Sequence, residues 1–406
     1  MPAPLEIWAS PEPTVARVDR TTYRDQLAET GHEVRDGDID LLASLGISAT
    51  RYPVLWEKTA PGDPRDADFS WAERRLGALR TRGVEPIVTL LHHGSGPAET
   101  SLLDPQFPEK FAAYAGVVAA AFPWVRRWTP INEPLTTARF STLYGVWYPN
   151  RIDDDEAFGH ALVNEALAML LGMEAIGAHV SGAAFVITED LQGITALEPS
   201  VNEFAAHLRL RMSLSIELVM GRVDGGHELY PYLTERCGVA PARLQRVRQH
   251  ARAPDLVGWN YYPNSDRVLW RNEQGRIDNE AAQLRGPISP LPVLRAVHER
   301  LGLPFGISEV HADGSETERV AWLAARHHDL GVLSGEGLPV RMLGAWGAFG
   351  LADWNSLLTR RENYREDGIF TFAGPLETPR ETAVSAVLRR LAAGRSTGEL
   401  RRGVQR

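Results

Sequence analysis

Short apolar runs alternate with longer amphipathic or apolar segments along most of the chain. Eight runs have the length and character of strands, at residues 5–9, 49–56, 85–91, 125–131, 182–188, 255–262, 304–310 and 340–349. The segments between them are long enough to form helices. Several of these segments end in a glycine, the residue favoured just after a helix: Gly46, Gly83, Gly302 and Gly331. The pattern predicts strands and helices in alternation.

Eight strand–helix pairs whose strands are apolar over nearly their whole length favour a parallel sheet covered by helices. Eight is also the number that closes a (β/α)8 barrel, and 406 residues suit one barrel with insertions. A doubly wound open sheet is the rival architecture, but no glycine-rich phosphate loop follows the first strand. We therefore predict an α/β fold, a (β/α)8 TIM barrel, as one domain over residues 1–395, followed by a polar tail at 396–406.

Composition narrows the class of protein. The net charge of −9 gives no sign of the excess of basic residues that is typical of proteins that bind nucleic acid. The single cysteine, Cys237, excludes an internal disulfide framework and a multi-cysteine metal site. The N-terminus lacks the basic and apolar regions of a signal peptide, and no stretch approaches the roughly 18 apolar residues that span a bilayer. We expect a soluble cytoplasmic protein without nucleic-acid or membrane partners.

The ends of the predicted strands carry the chemistry, because barrels of this type place their active sites there. These ends present histidines, amides, carboxylates and aromatic rings: His92, His93, Asn132, Glu133, Glu189, Asp190, Asn260, Tyr261, Tyr262, Glu309, Trp346, Asp353 and Trp354. Aromatic faces combined with amides and carboxylates suit a sugar ring, which offers C–H faces and a rim of hydroxyls. A carbohydrate is therefore the expected ligand.

Two carboxylates on nearby strand ends are what cleavage of a glycosidic bond needs. One protonates the departing oxygen, and the other attacks or stabilises the anomeric carbon. A single glutamate at a strand end is more often a helix cap or an ion-pair partner, so the prediction rests on Glu133 and Glu309 together. Glu189 and Asp190 either add a further carboxylate to the site or serve as such a cap and ion pair. The histidine spacing matches no metal motif, and no metal site is predicted.

Six segments, in one order, resemble family-1 glycoside hydrolases. They are "ATRYPVLW" (49–56), "IVTLLHH" (87–93), "WTPINEP" (128–134), "LVGWNYY" (256–262), "FGISEVHADG" (305–314) and "GAWGAFGLADW" (344–354). The resemblance covers about residues 5 to 372. It implies a retaining β-glycosidase that acts on a small-molecule glycoside and needs no metal or organic cofactor.

The resemblance also implies roles for individual residues. Glu133 would be the general acid/base and Glu309 the nucleophile, with the two carboxyl groups about 5–5.5 Å apart as retention requires. Arg51 and Tyr262 would hold Glu309 ionised, because a neighbouring cation and a hydrogen bond to the charged form lower a carboxyl pKa. The remaining candidates are Asn260 as catalytic support; His92, Asn132, Trp346, Asp353 and Trp354 on the sugar; and His93, Glu189 and Asp190 as further members of the site.

Four departures from the family pattern affect the expected binding of the sugar and leave the catalytic pair unchanged. Glu309 is followed by Val310-His311 where the family has Asn-Gly, and Asp353 replaces a longer glutamate. Ala16 stands where the family's first strand supplies a glutamine, with Glu12 and Arg17 nearby, and His93 stands in place of a tryptophan. Lost hydroxyl contacts suit a deoxy, amino or otherwise modified sugar, since polar groups would otherwise be buried without partners.

Two alternatives to hydrolysis remain. One is a family-1-like enzyme that transfers a glycosyl group or rearranges a sugar in secondary-metabolite or nucleotide-sugar metabolism. The other is a catalytically silent carbohydrate-binding protein, which is disfavoured because both carboxylates and their expected neighbours are present. Substituting Glu309 by Gln separates an enzyme from a binding protein. The binding protein would keep its affinity for the sugar and has no turnover to lose.

Overall fold

Residues 5–394 are described by a computed structural model, in which eight parallel strands close a barrel. The strands, in chain order, are β1 (Glu6–Ala9), β2 (Ala49–Pro53), β3 (Glu85–His92), β4 (Arg127–Asn132), β5 (Ala184–Asp190), β6 (Leu256–Tyr261), β7 (Phe305–Val310) and β8 (Val340–Ala345). Each strand pairs with its neighbours in the chain, and β1 closes the barrel by pairing with both β2 and β8. The predicted (β/α)8 barrel is confirmed.

Helices connect and surround the strands. Within residues 5–394 the α-helices are Gln26–Glu29, Asp38–Ser44, Trp56–Thr59, Ser70–Thr81, Phe107–Ala121, Pro134–Thr142, Asp155–Gly177, Asn202–Arg211, Leu214–Val219, Pro241–Gln249, Leu291–Leu301, Glu316–Gly335 and Ala383–Ala392. None of them combines the length and the apolar character needed to cross a membrane. The polar tail predicted at residues 396–406 lies outside the described part of the chain.

Two apolar layers explain why the strands lack an alternating pattern. Inside the barrel, six strands contribute one small cluster, which consists of Trp8, Ala49, Ile87, Val186, Leu256 and Met342. A much larger cluster lies between the outer face of the strands and the helices. Because both faces of each strand are covered, apolar residues are favoured at nearly every strand position. The interior cluster fills the barrel below its carboxyl-terminal mouth and leaves that mouth for polar side chains.

Several predicted element bounds are wrong, for local reasons. The strand predicted at 49–56 ends at Pro53, because Trp56 begins the short helix Trp56–Thr59. The strand predicted at 340–349 ends at Ala345, where the chain turns into the mouth of the barrel. Gly331 does not end a helix, since Glu316–Gly335 runs through it and buries residues on both sides of it.

Three small sheets, which the sequence did not predict, arise from the loops at the mouth. Val15–Arg17 pairs with Tyr23–Asp25 after β1, and Leu351–Ala352 pairs with Arg365–Glu366 after β8. The third sheet comes from the loops that follow β5 and β6, and its strands are Ile194–Ala196, Arg267–Arg271 and Ile277–Ala281. All these loops leave the carboxyl ends of barrel strands, so they build the wall around the mouth.

Candidate active site

Glu133 follows β4 directly and precedes the helix Pro134–Thr142. Its backbone is in the left-handed region, with a φ of 45°, and Pro134 begins the helix. The carboxylate Oε1 accepts a hydrogen bond from Asn260 Nδ2 at 2.5 Å. Burial and the neighbouring Glu309 carboxyl raise the pKa of Glu133 well above its usual range. The strand end therefore holds a carboxyl group that favours its protonated form.

Glu309 lies on β7 and has different partners. Arg51 Nη1 donates to Oε1 at 2.6 Å, and the Tyr262 hydroxyl donates to Oε2. Burial raises the pKa of Glu309, while the Arg51 guanidinium and the Tyr262 hydrogen bond act in the opposite direction. The β6–β7 register shifts just before Glu309 and places it opposite Asn260. This carboxylate therefore has a cation and a phenol to stabilise its charged form.

Asn132 connects the two carboxylates through shared neighbours. Its Oδ1 accepts from Arg51 Nη2 at 2.5 Å and from Thr188 Oγ1 at 2.8 Å. Its Nδ2 donates to the Nε2 atoms of His92, at 3.1 Å, and His93, at 3.3 Å. Burial lowers the pKa of both histidines, that of His93 to about 3, so both rings are neutral near pH 7. The four strands from β2 to β5 are thus joined by one buried network.

Aromatic rings line the same region. Trp346 stacks on His92 with 5.4 Å between ring centroids, and the Arg51 guanidinium lies 4.6 Å from the Trp346 ring centre. The Trp354 ring meets His93 edge-on at 5.9 Å. Within the described part of the chain, His92 Nδ1 and Trp354 Nε1 have no hydrogen-bond partner although both atoms are buried. Two nitrogen atoms are therefore free to bond to a ligand.

Asp353 differs from the expected sugar-binding residue. Its Oδ2 accepts from Arg24 Nη2 at 2.8 Å, and its Oδ1 accepts from the backbone N–H groups of Glu362 and Tyr364. Its backbone, like those of Glu133 and His93, has a positive φ, here 56°. Both carboxylate oxygens thus hold the loop after β8 in place and are already bonded before any sugar binds.

Glu189 and Asp190 also bond to the scaffold. Glu189 accepts from the backbone N–H groups of Leu135 and Thr136 and so caps the helix that begins at Pro134. Asp190 pairs with Arg139 at 3.5 Å and accepts from Ser265 at 3.1 Å. Of the two roles left open by the sequence, the helix cap and the ion pair are the ones that this geometry supports.

Glu12 is a site residue that the sequence did not single out. It lies three residues after β1, and its Oε2 accepts from Trp346 Nε1 at 2.8 Å. Its Oε1 is 3.9 Å from His92 Nε2. The sequence placed Glu12 near the position of the family's glutamine, and its place just beyond β1 is the feature by which it could have been found.

The fold is a (β/α)8 barrel with two buried carboxyl groups at its mouth, one directly after β4 and one on β7. The sequence model of glycosyl hydrolase family 1 matches residues 7–283, more than half of the chain. The chain belongs to this family. In fold it is similar to a family 1 β-glucosidase from Thermotoga maritima, with a TM-score of 0.76, 16% identity and coverage of 98% of this chain and 99% of the other.

The similar curated proteins match over shorter stretches. A putative β-glucosidase 17 from Oryza sativa subsp. japonica is 32% identical over 28% of this chain and 40% of its own length. A coniferin β-glucosidase from Pinus contorta is 31% identical over 33% of this chain and 28% of its own. A probable inactive β-glucosidase 14 from the same rice is 26% identical over 55% of this chain and 48% of its own. The matches therefore span less than half the length of these relatives.

Proposed function

We propose that this protein is a retaining β-glycosidase that hydrolyses a β-glycosidic bond by double displacement. The observation that carries the proposal is the contrast between two buried carboxyl groups at the ends of β4 and β7. Glu133 bonds to an amide, whereas Glu309 bonds to a guanidinium and a phenol. Environments that differ in this way assign one carboxyl the role of acid and the other the role of nucleophile.

In the first step Glu133 donates its proton to the glycosidic oxygen while the bond from that oxygen to the anomeric carbon breaks. The Glu309 carboxylate attacks the anomeric carbon from the opposite side of the sugar and forms a glycosyl ester. Arg51 and Tyr262 keep Glu309 ionised until the attack. The leaving group departs as a neutral alcohol.

In the second step Glu133, now a carboxylate, removes a proton from water. The water oxygen attacks the anomeric carbon, and the bond to Glu309 breaks with its electron pair returning to the carboxylate. Two inversions at one carbon give net retention. This mechanism requires the carboxyl groups to lie about 5–5.5 Å apart, against roughly 6.5–9.5 Å for an inverting enzyme.

The expected contacts with the sugar follow from which polar side-chain atoms of the site already have a hydrogen-bond partner and which do not. His92 Nδ1 and Trp354 Nε1 are unpartnered and would bond to ring hydroxyls, with the Trp346 ring against the sugar face. Asn132 would bond to the 2-hydroxyl, and this contact replaces one of its hydrogen bonds to the histidines. Asn260 supports Glu133 through its Nδ2.

A modified sugar fits these contacts better than glucose. Asp353, the expected partner of the far hydroxyls, bonds to Arg24 and to backbone N–H groups. Ala16, at the expected glutamine position, has no polar side chain. A hydroxyl that meets no partner in a buried site loses affinity, so a deoxy or otherwise altered glycoside is favoured. Turnover of plain glucosides as efficient as that of every modified glycoside would overturn this part of the proposal.

Release of nitrophenol from a panel of nitrophenyl β-glycosides, including deoxy and amino sugars, tests the mechanism. Glu309→Ala should lose turnover, and added azide should restore part of it with an inverted glycosyl azide as product, because azide occupies the position of the missing carboxylate. Glu133→Ala should give the retained glycosyl azide, because the glycosyl ester still forms when the leaving group is good. Glu165→Gln, which changes a buried carboxyl on the helix Asp155–Gly177, is the matched control and should keep turnover.

The same panel separates the alternatives. Turnover that releases nitrophenol but gives mainly a new glycoside in the presence of acceptor alcohols would indicate transfer in place of hydrolysis. A folded protein that binds sugars but releases no nitrophenol from any of them would support the carbohydrate-binding alternative. One similar rice protein is described as a probable inactive β-glucosidase, so the panel must test for this outcome.

A further inference from the structure

Glu12 is a buried carboxyl group that the proposed double displacement does not use. The residue is 4% exposed and follows the end of β1 by three residues. Its Oε1 accepts from the Thr14 backbone N–H at 2.9 Å, and its Oε2 accepts from Trp346 Nε1 at 2.8 Å. Its neighbour at 3.9 Å is His92, which is a candidate sugar-binding residue. The carboxyl group therefore lies next to a residue that is expected to bind the sugar.

Glu12 has no positively charged partner among the neighbouring residues of the site that the structure describes. Among residues 5–394, Arg51 is the one arginine or lysine that pairs with Glu12, Glu133 or Glu309, and it pairs with Glu309. His92 supplies no positive charge, because burial lowers its pKa well below its usual range. Burial and the charge of Glu309 raise the pKa of Glu12 to about 7. An ionised Glu12 is thus a buried anion without a counter-ion, which is an unfavourable state.

The hydrogen bond to Trp346 does not by itself explain a carboxylate here. An indole N–H needs only an acceptor, and a neutral glutamine carbonyl would provide one without the cost of burying a charge. Each oxygen of Glu12 accepts one hydrogen bond and has capacity for another. A positively charged ligand group would satisfy all of these features together.

We propose that Glu12 is the counter-charge for a basic amino group on the sugar, so that the substrates are β-glycosides of amino sugars. The inference rests on the proposed function, because it assumes that the sugar binds beside Glu133 and Glu309. It makes Glu12 a specificity-determining residue that touches the substrate. The ammonium group replaces a ring hydroxyl on the side of the pocket formed by His92 and Trp346.

The test compares pairs of nitrophenyl β-glucosides that differ at one ring position, with an amine in place of the 2-, 3-, 4- or 6-hydroxyl. The wild-type protein should process at least one amino glycoside with a kcat/KM at least about tenfold above that of plain nitrophenyl glucoside. Glu12→Gln keeps an acceptor for Trp346 and removes the charge, so this ratio should fall to near one. Glu57→Gln removes another buried carboxyl, one that accepts from the Gly96 backbone N–H, and should keep the wild-type ratio.

Calorimetric titration with the free amino sugars and with glucose provides an arm that does not depend on turnover. Amino-sugar binding that weakens at least about tenfold in Glu12→Gln supports the inference, even if no glycoside is hydrolysed. The absence of hydrolysis would overturn only the proposed function. Equal kcat/KM and equal affinity for amine and hydroxyl in the wild type would overturn the inference, whether or not Glu12→Gln folds. A preference for amines that Glu12→Gln retains would also overturn it.

Discussion

Replacing Arg51 by glutamine would remove the positive charge that bonds to Glu309 and leave a shorter, neutral polar side chain. Arg51 is 1% exposed, and its Nη1 lies 2.6 Å from the Glu309 Oε1. Removing one partner of a buried ion pair costs about 3–5 kcal/mol, because the other charge is left buried and unpaired. Glu309 can avoid this cost by binding a proton, so its pKa should rise.

Burial raises the pKa of Glu309 in the wild-type protein, while the Arg51 guanidinium and the Tyr262 hydrogen bond lower it. Arg51→Gln removes the cation, and the Tyr262 hydroxyl still donates to the carboxylate. The pKa of Glu309 should therefore be higher in the variant than in the wild type. The acid limb of kcat/KM against pH reports the nucleophile of the free enzyme and should move to higher pH.

Chemical unfolding at pH 5 and pH 8 gives a second measurement. A carboxyl whose pKa is raised in the folded state binds more protons folded than unfolded, so stability falls as pH rises toward the raised pKa. Arg51→Gln should therefore lose more free energy of unfolding at pH 8 than at pH 5. Arg75→Gln is the control, because this buried guanidinium donates to the carbonyl oxygens of His32 and Arg35, outside the site. An acid limb that stays at its wild-type pH in Arg51→Gln would refute the reasoning.

Three further substitutions test the scaffold by urea unfolding. Glu189→Ala should lower the free energy of unfolding by about 1–3 kcal/mol, because two backbone N–H groups of the helix that follows Glu133 lose their acceptor; an unchanged value would exclude the cap. Trp8→Ala should cost about 3–5 kcal/mol by opening a cavity inside the barrel, and a smaller loss would indicate that the barrel collapses around it. Gly258→Ala should cost about 1–3 kcal/mol, because its Cβ would lie 2.5 Å from Ser308 Oγ, whereas Gly77→Ala has open space and should not destabilise.

The barrel could be predicted from the sequence because its strands are buried on both faces. That burial leaves a continuous apolar run, which is visible without knowing which strands pair. The polar residues directly after such runs, such as Asn132 and Glu309, stand out for the same reason. Their grouping at one mouth follows from the fold class and needs no further detail.

Partners that are distant in the chain could not be predicted in the same way. Arg24 and Asp353 are 329 positions apart, and no local pattern shows that the aspartate bonds to an arginine and not to a sugar. Glu12 and Trp346 are 334 positions apart, so the role of that carboxylate appears only in three dimensions. The small sheets around the mouth have strands of two to five residues, too short for a recognisable hydrophobic period.

The left-handed backbone at His93, Glu133 and Asp353 has a consequence for laboratory evolution. Each of these residues adopts a conformation that costs an L-amino acid roughly 1–2 kcal/mol and costs glycine little. Glycine at position 133 would therefore relieve strain in the same step that removes the catalytic acid. A library selected only for heat resistance should therefore accumulate glycine or asparagine at position 133, and thermostable variants of this protein will need a parallel selection for turnover.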